Sequence, residues 1–321
     1  MLHSVFHGLS RCALIATCAL PLAALAQSNT IKLVVGAPPG GTTDTVARSI
    51  AQHMGQDLKR TVLVENKPGA GGNIAADYVA KSMADGNTLL VTFTSFSINA
   101  SLYRKLPFDT VKDFTPISML ANVPSVLITR KDFPAQNMAE FVKEVKSHPG
   151  KYTMALGATG SSLHMAGERM KMMSGLDILN VPYKGTAPAL TDVLGGQVDM
   201  MFASSMNALS PVKSGTLKAL GVTSTAELPQ FPSVPPIGDT IKGFESNAWF
   251  AMFGPAGLSP KVVAELNSAA RKAVDTPDFR KLLEGEAATA VSSTPEELGE
   301  FVRKDIARYA EIVKFTGATV D

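Results

Sequence analysis

Cysteine is nearly absent from this sequence of 321 residues. Its two cysteines, Cys12 and Cys18, lie in an N-terminal apolar stretch that we expect to be removed, so the remaining chain forms no disulfide. A chain of this length can bury enough apolar surface in two domains of about 100–200 residues each to fold without covalent cross-links. We therefore expect two ordinary hydrophobic cores.

Runs of like charge are also absent. The sequence has 30 basic and 28 acidic residues, and they are dispersed along the chain. Proteins that bind nucleic acid cluster their basic residues on one face or in one segment. We therefore expect no nucleic-acid partner.

Catalytic signatures are scarce. Neither H-E-x-x-H nor G-x-S-x-G occurs, and no glycine loop is followed by the Lys-Ser/Thr of a phosphate-binding loop. One constellation remains, Ser161 or Ser162 with His164 and Glu168, because helical spacing places His164 and Glu168 on one face. We expect these two to form an exposed pair, and we expect no enzyme, cofactor or metal site. The alternative is a periplasmic serine hydrolase that acts on small esters.

The N-terminus has the pattern of a secretory signal peptide. Arg11 precedes an apolar run that ends in the A-x-A sequence of Ala24, Leu25 and Ala26. Cleavage after Ala26 would remove one of the 30 basic residues and no acidic one, which leaves 295 residues with a net charge of +1. The predicted location is the periplasm. A membrane anchor and a lipid attached at Cys18 are the alternatives.

Short strand patterns alternate with helix patterns, which predicts βαβ units around a parallel sheet. In the first half, strands are expected at residues 31–35, 61–64 and 89–93, with Val46, Ile50, Met54 and Leu58 at helical spacing. The same alternation restarts after Arg130. It predicts a second parallel sheet, with strands at residues 152–156, 178–181 and 198–202 and helices at 139–146 and 163–173.

The C-terminal part is expected to return to the first lobe. A proline-rich irregular segment at residues 229–236 precedes a strand at 248–253 and two closing helices, which begin at Ser259-Pro260 and at the capping box from Thr294. Crossings near residues 126–130 and 244–250 would form a hinge. The predicted domains are a signal peptide at 1–26, a first lobe at 27–127 and 246–321, and a second lobe at 128–245.

A glycine-rich loop at residues 38–44 lies between a predicted strand and a predicted helix. Gly40 and Gly41 let the main chain approach an anion, Thr42 and Thr43 add hydroxyl donors, and the helix N-terminus adds partial positive charge. A carboxylate is the expected ligand. A plain turn in which Asp44 interacts with the helix dipole is the alternative.

A matching loop at residues 157–162 opens the first helix of the second lobe. It is small, rich in hydroxyl groups and uncharged. Loops at the carboxyl ends of strands line the crevice in which open α/β sheets bind ligands, so the two loops are expected to face each other. Alternatively, Ser161 only caps its helix. A third glycine-rich stretch, residues 67–73, fits no nucleotide motif and is interpreted as a structural turn.

Together these segments resemble the solute receptors of tripartite tricarboxylate transporters, often called Bug receptors. The likeness covers nearly the whole chain after residue 26. It rests on Pro-x-Gly-Gly-x-x-Asp at 38–44, VENKPGAGG at 64–72, LYRKLPFD at 102–109, HPGK at 148–151, VPYKG at 181–185 and LGGQVD at 194–199.

The resemblance implies a type II periplasmic-binding fold, in which two doubly wound α/β lobes joined by two crossover strands close around a ligand. It further implies a small organic acid or acidic amino acid as ligand, an integral-membrane permease as partner, and a monomer. The sensing lobes of transcription regulators share this fold, but the sequence has no helix-turn-helix and begins with a signal pattern. The predicted ligand-binding residues are Ala37, Pro39, Gly40, Gly41, Thr42, Thr43, Asp44, Ser95, Ala158, Thr159, Gly160, Ser161, Ser162, Tyr183, Lys184 and Ser204.

Overall fold

The computed structural model describes residues 29–285 and 288–320. The predicted signal peptide and both cysteines lie outside these residues. Every helix within the described ranges is too short or too polar to span a membrane.

Strands and helices alternate along most of the chain. The strands are β1 Thr30–Val35, β2 Thr61–Asn66, β3 Thr88–Phe93, β4 Phe114–Val123, β5 Ser125–Arg130, β6 Thr153–Leu156, β7 Leu179–Pro182, β8 Met200–Ser204, β9 Leu217–Val222, β10 Ala248–Pro255 and β11 Thr289–Ala290. The helices are α1 Thr42–Leu58, α2 Asn73–Ala80, α3 Ser95–Leu102, α4 Met138–Ser147, α5 Ser162–Ser174, α6 Thr186–Leu194, α7 Ser205–Lys213, α8 Ile237–Thr240, α9 Pro260–Val274, α10 Pro277–Gly285 and α11 Pro295–Thr316.

The first sheet has the strand order β11-β4-β10-β3-β1-β2. Its β1, β2 and β3 are parallel, but β10 runs antiparallel to β3 and β4. The predicted parallel strands β1, β2 and β3 are present, but the sheet as a whole is mixed. β10 comes back from the second sheet rather than from a βαβ crossover, so it enters from the opposite end.

The second sheet has the order β7-β6-β8-β5-β9 and is also mixed. β6 is parallel to β7 and β8, as predicted, whereas β5 is antiparallel to β8 and β9. The sequence analysis did not predict β4, β9 or β11, and at β5 it expected a crossover between the lobes rather than a strand of the second sheet. β5 arrives directly from the first sheet without a helix, so its direction does not follow the βαβ pattern.

Two segments connect the sheets. The chain leaves the first sheet at Pro124, between β4 and β5, which is slightly earlier than the predicted crossing at 126–130. Proline has no N–H to donate, so it ends the ladder of β4 there. The chain returns at the start of β10, and this strand pairs in the first sheet as expected. The predicted lobe boundaries stay a prediction.

The C-terminal segment packs on the first sheet with three helices, not the two that were predicted. The first core includes Leu266 of α9 and both Phe279 and Leu283 of α10. Only two residues separate α9 from α10, so their apolar periodicities merge in the sequence. The start signals of α9 and α11 are confirmed, since Ser259 caps α9 and Thr294 forms a capping box with Glu297.

Helices of both lobes meet in a small apolar cluster. Met165 of α5 is fully buried there beside Leu102 of α3 and Tyr309 of α11. α5, whose N-terminus follows the second glycine-rich loop, is thus held against the first lobe.

Candidate functional site

The first glycine-rich loop lies at the carboxyl end of β1 and opens α1. Pro39, Gly40 and Gly41 are exposed, while Ala37 and Thr42 are half-buried. The first helical hydrogen bond runs from the Thr45 N–H to the Gly41 carbonyl at 3.0 Å. N–H groups that precede such a bond lie outside the helical bonding pattern, and together with the helix dipole they favour an anion.

The buried carboxylate of Asp44 is hydrogen-bonded to this loop. Its Oδ2 accepts hydrogen bonds from the Gly40 N–H and from Arg48 Nε, both at 2.9 Å, and its Oδ1 accepts one from Asn66 Nδ2 at 2.8 Å. The bond from Arg48 is the main cause that lowers the pKa of Asp44 to about 2. Asp44 is 3% exposed and its neighbour Thr43 is 8% exposed. Both residues therefore support the loop rather than form its open surface.

The third glycine-rich turn, residues 67–73, packs against the first loop. A Cβ on Gly36 would come within 2.7 Å of Gly72 Cα, so the two segments touch through their backbones. Asn66, which precedes this turn, also donates to the Ala37 carbonyl at 3.0 Å. The turn therefore packs against the first loop and supports its position.

The second glycine-rich loop lies at the carboxyl end of β6 and opens α5. Ala158 and Thr159 are exposed, whereas Gly160 is buried against Leu102 of the first lobe. A Cβ on Gly160 would lie 2.4 Å from Leu102 Cδ2, and the φ of 77° is one that other residues rarely adopt, so glycine is favoured there. Ser161 caps α5, since its hydroxyl accepts from the His164 N–H at 3.2 Å and donates to the Ala158 carbonyl at 2.8 Å.

A buried charged network lies under this loop. Glu168 Oε1 is 2.6 Å from Lys171 Nζ, 2.7 Å from Asn180 Nδ2 and 3.6 Å from His164 Nε2. Burial raises the pKa of Glu168, but the bonds from His164, Lys171 and Asn180 outweigh it and lower the pKa to about 2. The expectation of an exposed pair was wrong, because His164 and Glu168 are 5% and 2% exposed.

The same network argues against the hydrolase alternative. His164 Nδ1 accepts the Gly160 N–H at 3.0 Å, and its Nε2 faces Glu168. The Ser161 hydroxyl donates to a backbone carbonyl instead of to the imidazole. A serine nucleophile needs a base within hydrogen-bond reach, and neither ring nitrogen of His164 is oriented to serve Ser161.

The other predicted residues are more scattered. Ser95 is half-buried at the start of α3, and because β3 is parallel to β1, α3 and α1 begin at the same edge of the first sheet. The Tyr183 hydroxyl donates to Asp192 Oδ2 at 2.6 Å, so it faces α6. Lys184 is exposed. Phe202, two residues before Ser204 in β8, is buried in the second core.

A pocket of about 150 Å³ lies between the sheets, at the two crossover segments. It brings together two predicted residues, Ser162 at the start of α5 and Ser204 at the N-cap of α7, and two that the sequence analysis missed, Ser125 and Ser246. The helix starts converge because β6 and β8 are parallel neighbours. Its other lining residues, all apolar, are Val123, Pro124, Leu163 and Ala248.

A larger groove of about 710 Å³ lies elsewhere, between α9 and α11 on the first lobe. It contains residues of only one lobe, such as Asn267 and Arg303, and none of the two loops. Closure of the lobes could not enclose a ligand there. The interlobe pocket is therefore the candidate site, although it is smaller.

Several known proteins are similar to this chain in sequence and in fold. The family model described as "Tripartite tricarboxylate transporter family receptor" matches residues 46–318. BugT of Bordetella pertussis is 35% identical over 291 residues, which cover 90% of this chain and 89% of BugT. The solved structure of the periplasmic binding protein BugD is 35% identical, with a TM-score of 0.71, and the match covers 90% of this chain and 98% of BugD. MatC from Rhodopseudomonas palustris, solved with bound malate, is 34% identical, with a TM-score of 0.70 and coverage of 88% and 98%.

These matches extend across both sheets and both crossover segments. The two-lobed α/β architecture is that of type II periplasmic binding proteins, which confirms the predicted fold class. The chain belongs to the tripartite tricarboxylate transporter receptor family, whose members are periplasmic solute-binding proteins.

Proposed function

We propose that this chain captures a small organic acid in the cleft between its lobes and delivers it to a tripartite tricarboxylate-type permease. One observation carries the proposal: the starts of two helices and four serine residues line an interlobe pocket that no charged residue lines. Helix N-termini and hydroxyl donors suit an anion. The moving units in this proposal are the lobes 27–127 with 246–321 and 128–245.

In this proposal, residues of both lobes contact the ligand. Gly40, Gly41 and the start of α1 approach the ligand from the first lobe, and Ser162 with Ser204 approaches from the second. A hydrogen bond to a charged group contributes about 1.5–3 kcal/mol net. Three or four such bonds are therefore enough for micromolar affinity without an arginine.

The relatives support an acid as the ligand class. MatC is similar to this chain along almost its whole length, and its structure holds malate. We extend the class to small organic acids in general, including di- and tricarboxylates and acidic amino acids. In this proposal the chain acts in the periplasm as a monomer and meets an integral-membrane permease.

Thermal denaturation with a panel of organic acids tests the proposal. An acid present at about 100 times its dissociation constant adds about 2.7 kcal/mol of stability. For a chain of this size, that gain raises the melting temperature by roughly 4 °C. Chromatography of the same samples should recover the acid unchanged. If no acid in the panel stabilises the protein, the proposed ligand class is wrong.

A further inference from the structure

The imidazole of His164 is hydrogen-bonded to the second glycine-rich loop. Its Nδ1 accepts the Gly160 N–H at 3.0 Å, and the residue is 5% exposed. A ring nitrogen that accepts carries no proton, so the neutral ring has its proton on Nε2. Nε2 lies 3.6 Å from Glu168 Oε1, and because a carboxylate only accepts hydrogen bonds, it favours the same tautomer. The buried carboxylate thus orients the ring that bonds the loop.

This bond takes the place of a capping box at the start of α5. Ser161 is the N-cap, so His164 is the third residue of the helix. In a capping box that residue is a glutamate or glutamine whose side chain accepts the N-cap N–H, as Glu297 does for Thr294 at α11. A carboxylate remains an acceptor between about pH 5 and 8. An imidazole gains a proton in that range and then accepts at neither nitrogen.

The bonded N–H belongs to the part of the loop that leads to the interlobe pocket. Gly160 lies two residues before Ser162, which lines the pocket. The N–H and the hydroxyl of Ser161 both donate to the Ala158 carbonyl, at 3.3 and 2.8 Å, and these bonds shape the turn itself. The bond to the imidazole fixes the turn against α5. Without it the Gly160 N–H would be buried without a partner, so we expect the backbone before Ser162 to shift.

Of the groups around His164, only its imidazole ordinarily changes charge between about pH 8 and 5. The side chains that contact it or its partners from α5, β7 and α3 are Glu168, Lys171, Asn180 and Leu102. The pKa of Glu168 is about 2, so this carboxylate stays charged. β6 and β8, against which α5 packs, contain no charged residue. On α11, Asp305 and Arg308 face Arg169, which is more than one helical turn from His164.

We propose that His164 positions the second glycine-rich loop for the bound acid and that protonation of its imidazole releases the acid. The inference rests on the proposed function, because the loop belongs to the same cleft. A proton on Nδ1 would point at the Gly160 N–H, so the protonated ring cannot keep this bond. Acid binding then requires the neutral ring, and protons compete with the acid without sharing its site. One linked proton weakens binding by up to about tenfold per pH unit as the pH falls.

Isothermal titration calorimetry at about pH 8 and about pH 5.5 tests the inference, with malate, succinate and citrate as probes. His164→Ala removes the acceptor and should bind about tenfold more weakly at the higher pH, because the Gly160 N–H loses its partner. His164→Asn places an amide oxygen near the position of Nδ1 and takes up no proton. It should recover most of the affinity. At the lower pH, wild type should lose about tenfold or more relative to this variant.

Two comparisons isolate the contribution of His164. His164→Asn leaves the titration of the acid unchanged, and also that of Asp305, whose pKa is raised by burial. The pH dependence of this variant is therefore the reference for wild type. His148→Asn makes the same change at an exposed histidine beside Glu144, at the end of α4. It should keep the wild-type affinities at both pH values.

Nitrogen-15 NMR of histidine-labelled wild-type protein gives a readout that does not depend on the stability of the variants. At about pH 8 the His164 ring should be neutral with its proton fixed on Nε2. At about pH 6, saturation with the probe that binds best should shift this ring toward the neutral form, because the acid and the proton exclude each other. A neutral ring with its proton on Nδ1, or no response to the acid, contradicts the proposal.

The calorimetric outcomes separate the two proposals. An equal pH dependence in wild type and His164→Asn, or unchanged affinity in a folded His164→Ala protein, overturns the role of His164 while acid binding stands. If none of the three acids binds at either pH, the proposed ligand class fails, and the role of His164 fails with it.

Discussion

The Gly41→Val variant is expected to lose at least about a hundredfold in affinity for the acid that binds best, because two or more charge-assisted hydrogen bonds would be lost. Gly41 has φ of −83° and ψ of 168°, an extended conformation that valine adopts readily. A Cβ there would come no closer than 3.8 Å to the Pro38 carbonyl, so the fold should tolerate it. The branched side chain would hold the ligand away from the start of α1. Gly40 is less suitable for the test, because its φ of 84° makes any side chain strained.

Calorimetry and melting curves together decide this prediction. Gly285→Val is the matched control, since Gly285 also has open space around a Cβ but lies at the end of α10. Gly41→Val should melt within a few degrees of the control and bind far more weakly. A folded Gly41→Val protein with unchanged affinity would show that the first loop does not contact the ligand.

The Glu168→Ala variant is expected to lose about 3–5 kcal/mol of unfolding free energy, because removal of one partner leaves a buried charge uncompensated. Lys171 is 8% exposed and would lose the carboxylate 2.6 Å from its Nζ. In a chain of this size the loss lowers the melting temperature by roughly 5–8 °C. Glu300→Ala is the control. It removes an exposed glutamate that pairs with Arg303 and Lys304, and because solvent screens such surface pairs, the melting temperature should hardly change.

The pH dependence gives a second readout of the same network. The pKa of Glu168 is about 2 in the folded protein, below its ordinary value of 4.5. Its contribution to stability is therefore complete above about pH 4.5 and is lost as the pH falls through about 2. Between pH 4.5 and about 2, the free energy of unfolding measured by urea denaturation should fall less in Glu168→Ala than in the wild type. If the unfolding free energy of both proteins falls equally with falling pH, the assigned role of Glu168 is wrong.

Much of the fold could be predicted from local patterns. The apolar spacing of Val46, Ile50 and Met54 correctly predicted the buried face of α1, and glycine with hydroxyl residues correctly marked both strand-to-helix loops. The returning strand β10 was also anticipated. These features depend on residues close together in the sequence, where period and turn chemistry are informative.

The missed features depend on residues far apart in the sequence. The direction of β5 is set by its pairing with β8 and β9, about 70 to 90 residues later. Glu168 was expected to be solvated because neither its burial nor the bond from Asn180, which lies on another element, can be read from the spacing within α5. Ser246 has no motif around it, and it belongs to the candidate site only because both crossover segments line the same pocket. An uncharged residue just before β10 would have been the only available signal.

Small-angle X-ray scattering, without ligand and with the acid that stabilises the protein most, tests the central claim most directly. A ligand that contacts both lobes favours the closed arrangement over the open one. We therefore expect a smaller radius of gyration with the acid present, and chromatography of the same sample should recover the acid unchanged. An unchanged scattering curve at saturating acid would contradict closure around the ligand, and conversion of the acid to a product would contradict the role of a binding protein.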